Sequence, residues 1–136
     1  MPEEPKKAVF QVDDYFELLA LNKALRLLKF SYPSLDDSLP GSPLMAAMAN
    51  RVVDTLVAIE IERGRLDLGV EWKGKIVPSS HIWNNLLAHA QESSKWLQWS
   101  LEQKQEFAQI LISPLEADEK IIAQFVYEVD ALLKDK

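Results

Sequence analysis

Apolar residues recur at intervals of three and four along most of this chain, the spacing that places them on one face of a helix. The pattern predicts helices from about residue 12 to 30, from 42 to 64, from 80 to 112 and from 113 to the end of the sequence. The third stretch has two interpretations, because Ser-Leu-Glu-Gln at 100–103 has the form of a capping box. It is either one long helix or two helices with a break near Ser93, Ser94 or Ser100.

Serine, proline and glycine mark the predicted helix boundaries. Ser42 followed by Pro43 combines a capping side chain with a proline in the first turn, and Gly64 suits the end of the same helix. Ser113 followed by Pro114 repeats the first signature. The sequence therefore predicts that the last helix begins at Ser113.

A different pattern occupies residues 66–77, where apolar and polar residues alternate with the period of a β-strand. The residues between Gly64 and Ser80 are enough for a short hairpin that turns at Gly74. Two interpretations stay open: a hairpin that offers its edge to a protein partner, or a plain connector whose apolar residues cover the end of the helices. The alternating apolar residues are Leu66, Leu68, Val70 and Trp72.

These elements together predict a mostly α fold: a four- or five-helix antiparallel bundle with a short β-hairpin-like insert around 66–77. The chain has 136 residues, the usual size of one domain. Residues 1–11 hold prolines and mixed charges before the apolar pattern begins, so they are predicted to be a flexible arm. Residues 12–136 are predicted to form a single helical domain.

The first predicted helix carries only a narrow polar stripe. A helix that is apolar around most of its circumference lies centrally in a core or is covered by a partner, and a homodimer would supply such a partner. The stripe consists of Glu17, Asn22, Lys23, Arg26 and Lys29.

Charge and composition exclude several classes of partner and location. Fifteen Lys and Arg against twenty-one Asp and Glu give a net charge of −6, and no segment concentrates positive charge as binding to nucleic acid requires. No apolar run is long enough to insert into a membrane. The absence of cysteine, together with a start that lacks the pattern of a secretory signal, leads us to expect a cytoplasmic protein.

The sequence offers no motif for catalysis, and we expect neither a metal nor a cofactor. His81 and His89 are eight positions apart on one predicted helix, about 12 Å along its axis, which is too far to share a metal ion. Ordinary polar or capping roles are expected for both. No nucleophile elbow and no phosphate-binding glycine loop occurs.

The four tryptophans raise the question of a binding surface. Trp96 and Trp99 lie three apart, so they are either core residues or anchors of an interface. We expect a non-catalytic protein–protein interaction module: a small acidic adaptor, assembly factor or immunity-type inhibitor. The alternative is a helical small-molecule-binding or enzymatic domain with a pocket between helices. The expected partner-binding residues are Leu68, Val70, Trp72, Lys73, Trp96 and Trp99.

Overall fold

A computed structural model of the chain describes residues 8–65, 67 and 73–135. Within these ranges the fold is mostly helical, as the sequence predicts, and no strand is present. A single turn of 3-10 helix, Trp96–Gln98, lies between the third and fourth helices. The five α-helices are α1 (Tyr15–Phe30), α2 (Pro43–Glu62), α3 (His81–Glu92), α4 (Leu101–Ile112) and α5 (Glu119–Lys134).

The residue before each of these helices is a cap: its side-chain oxygen accepts a hydrogen bond from a backbone N–H of the first turn. That N–H would otherwise have no partner within the helix. Ser100 and Gln103 form the predicted capping box, so the stretch from 80 to 112 is two helices. Gly64 ends α2 with a φ of +76°, a conformation that favours glycine. The capping residues are Asp14, Ser42, Ser80, Ser100 and Asp118.

The predicted helix start at Ser113 is wrong. Ser113 instead ends α4: its backbone N–H and its hydroxyl both donate to the carbonyl of Gln109, at 3.0 and 2.9 Å. The last helix begins at Glu119. The reason is that Glu116 uses its backbone groups to pair with another segment, so residues 114–116 cannot form a helical turn.

The predicted hairpin around 66–77 is not supported by the residues of this segment that the structure describes, 67 and 73–77. The N–H of Ile76 donates to the carbonyl of Glu116, and the N–H of Glu116 donates to the carbonyl of Gly74, both at 3.0 Å. This is an isolated parallel bridge between Lys75 and Glu116. It buries Ile76 in the core, so the predicted second strand pairs with the connector before α5. The residues Leu66, Leu68, Val70 and Trp72 lie outside the described part of the chain.

The buried apolar residues form two clusters. One lies between α1 and α2 and includes Leu18, Leu25 and Leu56. The other is formed mainly by α3, α4 and α5 around Trp83. Phe30, the last residue of α1, belongs to the second cluster, and α1 therefore contributes to both.

Of the tryptophans that the structure describes, Trp83 and Trp96 are fully buried, and each donates to an acceptor on α5. The indole N–H of Trp83 donates to Glu128 at 3.2 Å, and that of Trp96 donates to Asp130 at 2.8 Å. Lys104 contacts the same oxygen of Asp130 at 3.0 Å. Burial raises the pKa of Asp130, but the hydrogen bonds from Trp96 and Lys104 outweigh it and leave the pKa below its usual value.

Replacing Trp96 with alanine should lower the free energy of unfolding by about 3–5 kcal/mol, because it leaves a large cavity and removes one of the two hydrogen-bond donors to Asp130. Trp99→Ala should cost clearly less, since this side chain is only half-buried. Leu97→Ala is the control, because Leu97 is exposed and lies next to Trp96. Urea unfolding compares the three variants. Unchanged stability in Trp96→Ala would contradict the core assignment.

Candidate functional site

The residues expected to bind a partner do not form one surface among the residues that the structure describes. Trp96 is fully buried in the core. Trp99 is half-buried and packs against Phe107 on α4, with ring centroids 4.9 Å apart. Lys73 forms an ion pair with Asp54 on α2 at 3.1 Å. Leu68, Val70 and Trp72 lie outside the described ranges.

The polar stripe predicted on α1 is not a solvated face. Asn22 and Lys29 are buried, and Arg26 is half-buried. Only Glu17 and Lys23 are exposed as a polar stripe requires. These polar side chains therefore belong to packed or partly covered parts of the molecule, and two groups of contacts explain why.

Lys29 is fully buried and serves as a donor to two backbone carbonyls from distant segments. Its ammonium group donates to the carbonyl of Ile110 at 2.8 Å and to that of Pro40 at 3.3 Å. The ordinary helical partner of the Ile110 carbonyl would be the N–H of residue 114, but Pro114 has none. Lys29 supplies the missing donor, and its positive charge lies at the C-terminal end of α4, where a helix dipole favours it.

No carboxylate among the described residues forms an ion pair with Lys29. Burial alone lowers the pKa of Lys29 to about 8. A neutral amine has two N–H donors, which match the two carbonyls, so deprotonation preserves both hydrogen bonds.

Side chains of α3 hold the carbonyls at the end of α1. The amide nitrogen of Asn85 donates to the carbonyl of Phe30 at 2.9 Å. The Nε2 atom of His89 lies 2.9 Å from the carbonyl of Ser31, so this nitrogen carries the proton and donates. His89 thus has one of the two kinds of role, ordinary polar or capping, expected from the sequence. The ring of Tyr32 packs edge-on against His89, and its hydroxyl donates to Glu92.

An open groove of about 730 Å³ lies between α1 and the beginning of α3. The α1 residues that line it follow the three-and-four spacing of one helix face, from Leu19 to Phe30, a span of roughly 16 Å. Leu27 is 59% exposed, and Leu19, Phe30 and Ile82 also line the groove. The lining consists of Leu19, Asn22, Lys23, Arg26, Leu27, Phe30, Ser31, Tyr32, His81, Ile82 and Asn85.

The charge of this groove is opposite to that of the chain. Lys23 and Arg26 line it, and no aspartate or glutamate does so among the described residues. The guanidinium of Arg26 lies 5.5 Å from the ring centre of Phe30, and burial lowers its pKa below the usual value. Neither Lys23 nor Arg26 takes part in an ion pair within the described ranges. The groove therefore combines apolar surface with cations that have no carboxylate partner there.

A buried carboxylate near the C-terminal end of α2, that of Glu60, has its charged partner within the chain. Glu60 accepts from the hydroxyl of Tyr15, and its second oxygen lies 2.7 Å from the Nε atom of Arg65. The N–H of Arg65 also donates to the carbonyl of Glu60 at 2.8 Å, which closes the end of α2 around Gly64. These contacts leave Glu60 a structural role, and the α1–α3 groove stays the stronger candidate site.

No group of three His, Asp or Glu side chains in the described ranges is arranged to hold a metal ion. Among these residues, none of the helices has the combination of length and apolar character needed to cross a bilayer.

Comparison of the chain with protein-family models, with curated proteins and with solved structures finds no match. Any function must therefore be argued from the groove itself.

The buried Lys29 predicts a specific dependence of stability on pH. Between pH 8 and about 10.5 the folded protein carries a neutral Lys29, whereas the unfolded chain keeps the proton. Because the unfolded state then binds more protons, the free energy of unfolding should rise with pH, by about 3 kcal/mol over this range for a shift of this size.

Lys29→Met should lack this increase, and it leaves the carbonyls of Pro40 and Ile110 without a donor. Urea unfolding of both proteins at pH 7, 8, 9 and 10 gives the difference between them. Tyr15 and Tyr32 have raised pKa values, chiefly through their hydrogen bonds to Glu60 and Glu92, but they titrate alike in both proteins. Parallel pH profiles would show that Lys29 does not titrate in this way.

Proposed function

We propose that the protein is a non-catalytic protein–protein interaction module and that its docking surface is the groove between α1 and α3. The observation that carries this proposal is the exposed side chain of Leu27 on α1, in a groove whose two cations, Lys23 and Arg26, form no ion pair within the described ranges. Apolar surface of this kind on a folded domain favours occupation by a partner. Adaptors, assembly factors and immunity-type inhibitors all act through such a surface.

The hydrogen bonds at one end of the groove support the same proposal. The end of α1 is held by Asn85 and His89 from α3, and Lys29 joins it to the end of α4. A surface held in place before binding loses little conformational freedom when a partner docks. The spacing of the α1 residues also suits a partner helix, which meets a groove through residues three and four apart.

A small-molecule-binding domain is a second candidate, and the size of the groove is what favours it. About 730 Å³ falls within the roughly 300–1,000 Å³ of ordinary ligand pockets. Asn22, Arg26 and Asn85 would supply the few polar groups that orient a ligand. A thermal-shift screen separates the two candidates: a metabolite that stabilises the wild type but not Leu27→Asp favours the second.

The main test compares Leu27→Asp with Leu44→Asp in capture of a partner from cells that naturally produce the protein. Leu44 is 78% exposed on α2 and does not line the groove, so it matches the chemical change at another surface. Leu27→Asp should reduce capture about tenfold or more, since it places a charge where an apolar contact forms. Quantitative mass spectrometry after crosslinking measures the captured protein.

Leu44→Asp should capture the same protein as the wild type. Both leucines are exposed, so both variants should melt close to the wild-type temperature. Equal capture by the wild type and a folded Leu27→Asp variant would contradict the proposed docking surface.

A further inference from the structure

We infer that the partner presents an acidic amphipathic helix of about three turns to the α1–α3 groove. This inference rests on the proposed docking function and gives the partner a chemical description. Three features of the groove carry it: the length of the α1 face that lines it, the sign of its charges and the position of a buried amide.

The length of the α1 face that lines the groove sets the length of the partner segment. The lining residues of α1 run from Leu19 to Phe30, three turns and roughly 16 Å of helix. A partner helix lying along this face would place apolar residues, spaced three and four apart, in contact with Leu19, Leu27 and Ile82. The backbone groups of a helix are hydrogen-bonded within the helix itself, so the apolar side chains of the groove need not supply partners for them.

The positive charges of the groove favour a partner with negative charge. Lys23 and Arg26 lie on adjoining turns of α1, and neither forms an ion pair with a described residue. Arg26 is half-buried over the ring of Phe30, where water screens it less than it screens an exposed cation. A glutamate or aspartate beside the apolar face of the partner would meet both cations, whereas a lysine would be repelled.

The net charge of −6 does not reverse this preference at contact. At physiological ionic strength charges are screened over about 8 Å, so the acidic residues elsewhere act weakly across the molecule. Lys23 and Arg26 are within contact distance of whatever fills the groove. The local charges therefore decide which partner binds, and the distant ones mainly slow its approach.

A buried amide adds a polar contact beside the cations. Asn22 lines the groove one turn before Arg26 and is only 3% exposed. Its side chain has both a donor and an acceptor, so it can contact a polar side chain at the edge of the partner's apolar face.

The test uses two synthetic helical peptides of 14 residues with the same leucines at three-and-four spacing. Glutamates flank the leucines in one peptide and lysines replace them in the other. Fluorescence anisotropy with the whole chain should show that the acidic peptide binds about tenfold more tightly than the basic one, with the difference shrinking at high salt. Leu27→Asp should lower the affinity for the acidic peptide about tenfold.

Charge reversal on the protein completes the test. Arg26→Glu should invert the preference between the peptides, and Lys23→Glu, at an exposed position, should reduce it without risk to folding. Lys120→Glu is the matched control, because it makes the same change in net charge at an exposed site on α5 and should leave both affinities unchanged.

Four results would overturn the inference. Equal binding of the two peptides would remove the charge preference while leaving the docking surface in place. No binding of either peptide, with partner capture still lost in Leu27→Asp, would exclude a helix but not the docking function. A dimer that Leu27→Asp dissociates would identify a second copy as the occupant. Tight binding of laurate in place of the acidic peptide would identify a small amphiphile.

Discussion

Four backbone carbonyls at the junction of α1, α3 and α4 accept hydrogen bonds from side chains of other segments, and the arrangement of the molecule depends on these contacts. Asn85 serves the carbonyl of Phe30, and His89 serves that of Ser31. Lys29 serves those of Pro40 and Ile110. Each buried carbonyl without a donor would cost about 1–3 kcal/mol, so these three side chains together fix where α1 ends against its neighbours.

The groove is a consequence of where those contacts lie. The polar contacts between α1 and α3 are made by the last residue of α1 and the serine that follows it, Phe30 and Ser31. The groove extends from there along the preceding turns of α1, towards Leu19. The same contacts that hold the two helices together thus define one end of a surface that nothing described in this chain fills.

The sequence predicted the helices well because helix ends depend on residues close together in the chain. Ser42, Ser80 and Ser100 cap helices as expected, and Gly64 ends one. The serine–proline signature at Ser113 does not by itself mark a helix start, because it is equally compatible with a helix end. What decided between the two was the pairing of Glu116 with a segment forty residues earlier, which no local pattern reveals.

The candidate site was much less predictable. Periodicity assigns Lys29 and Asn22 to a polar stripe, and only the fold shows that both are buried. One signal for Lys29 was present in the sequence: Pro114 leaves the carbonyl of Ile110 without its helical donor. Nothing in the sequence indicated which side chain would replace it. The groove itself depends on residues from α1 and α3, some fifty positions apart, and so could not be recognised from either helix alone.

A titration of the isotopically labelled protein with the acidic helical peptide, followed by amide chemical shifts, tests the central claim most directly. The account predicts that the perturbed amides cluster within residues 19–32 and 81–85, the two segments that contribute the lining of the groove. Amides near Lys73 and Trp99 should change little. Shifts concentrated at residues 73–77 or 96–101, with those along α1 unchanged, would contradict the account and return the binding surface to the region expected from the sequence.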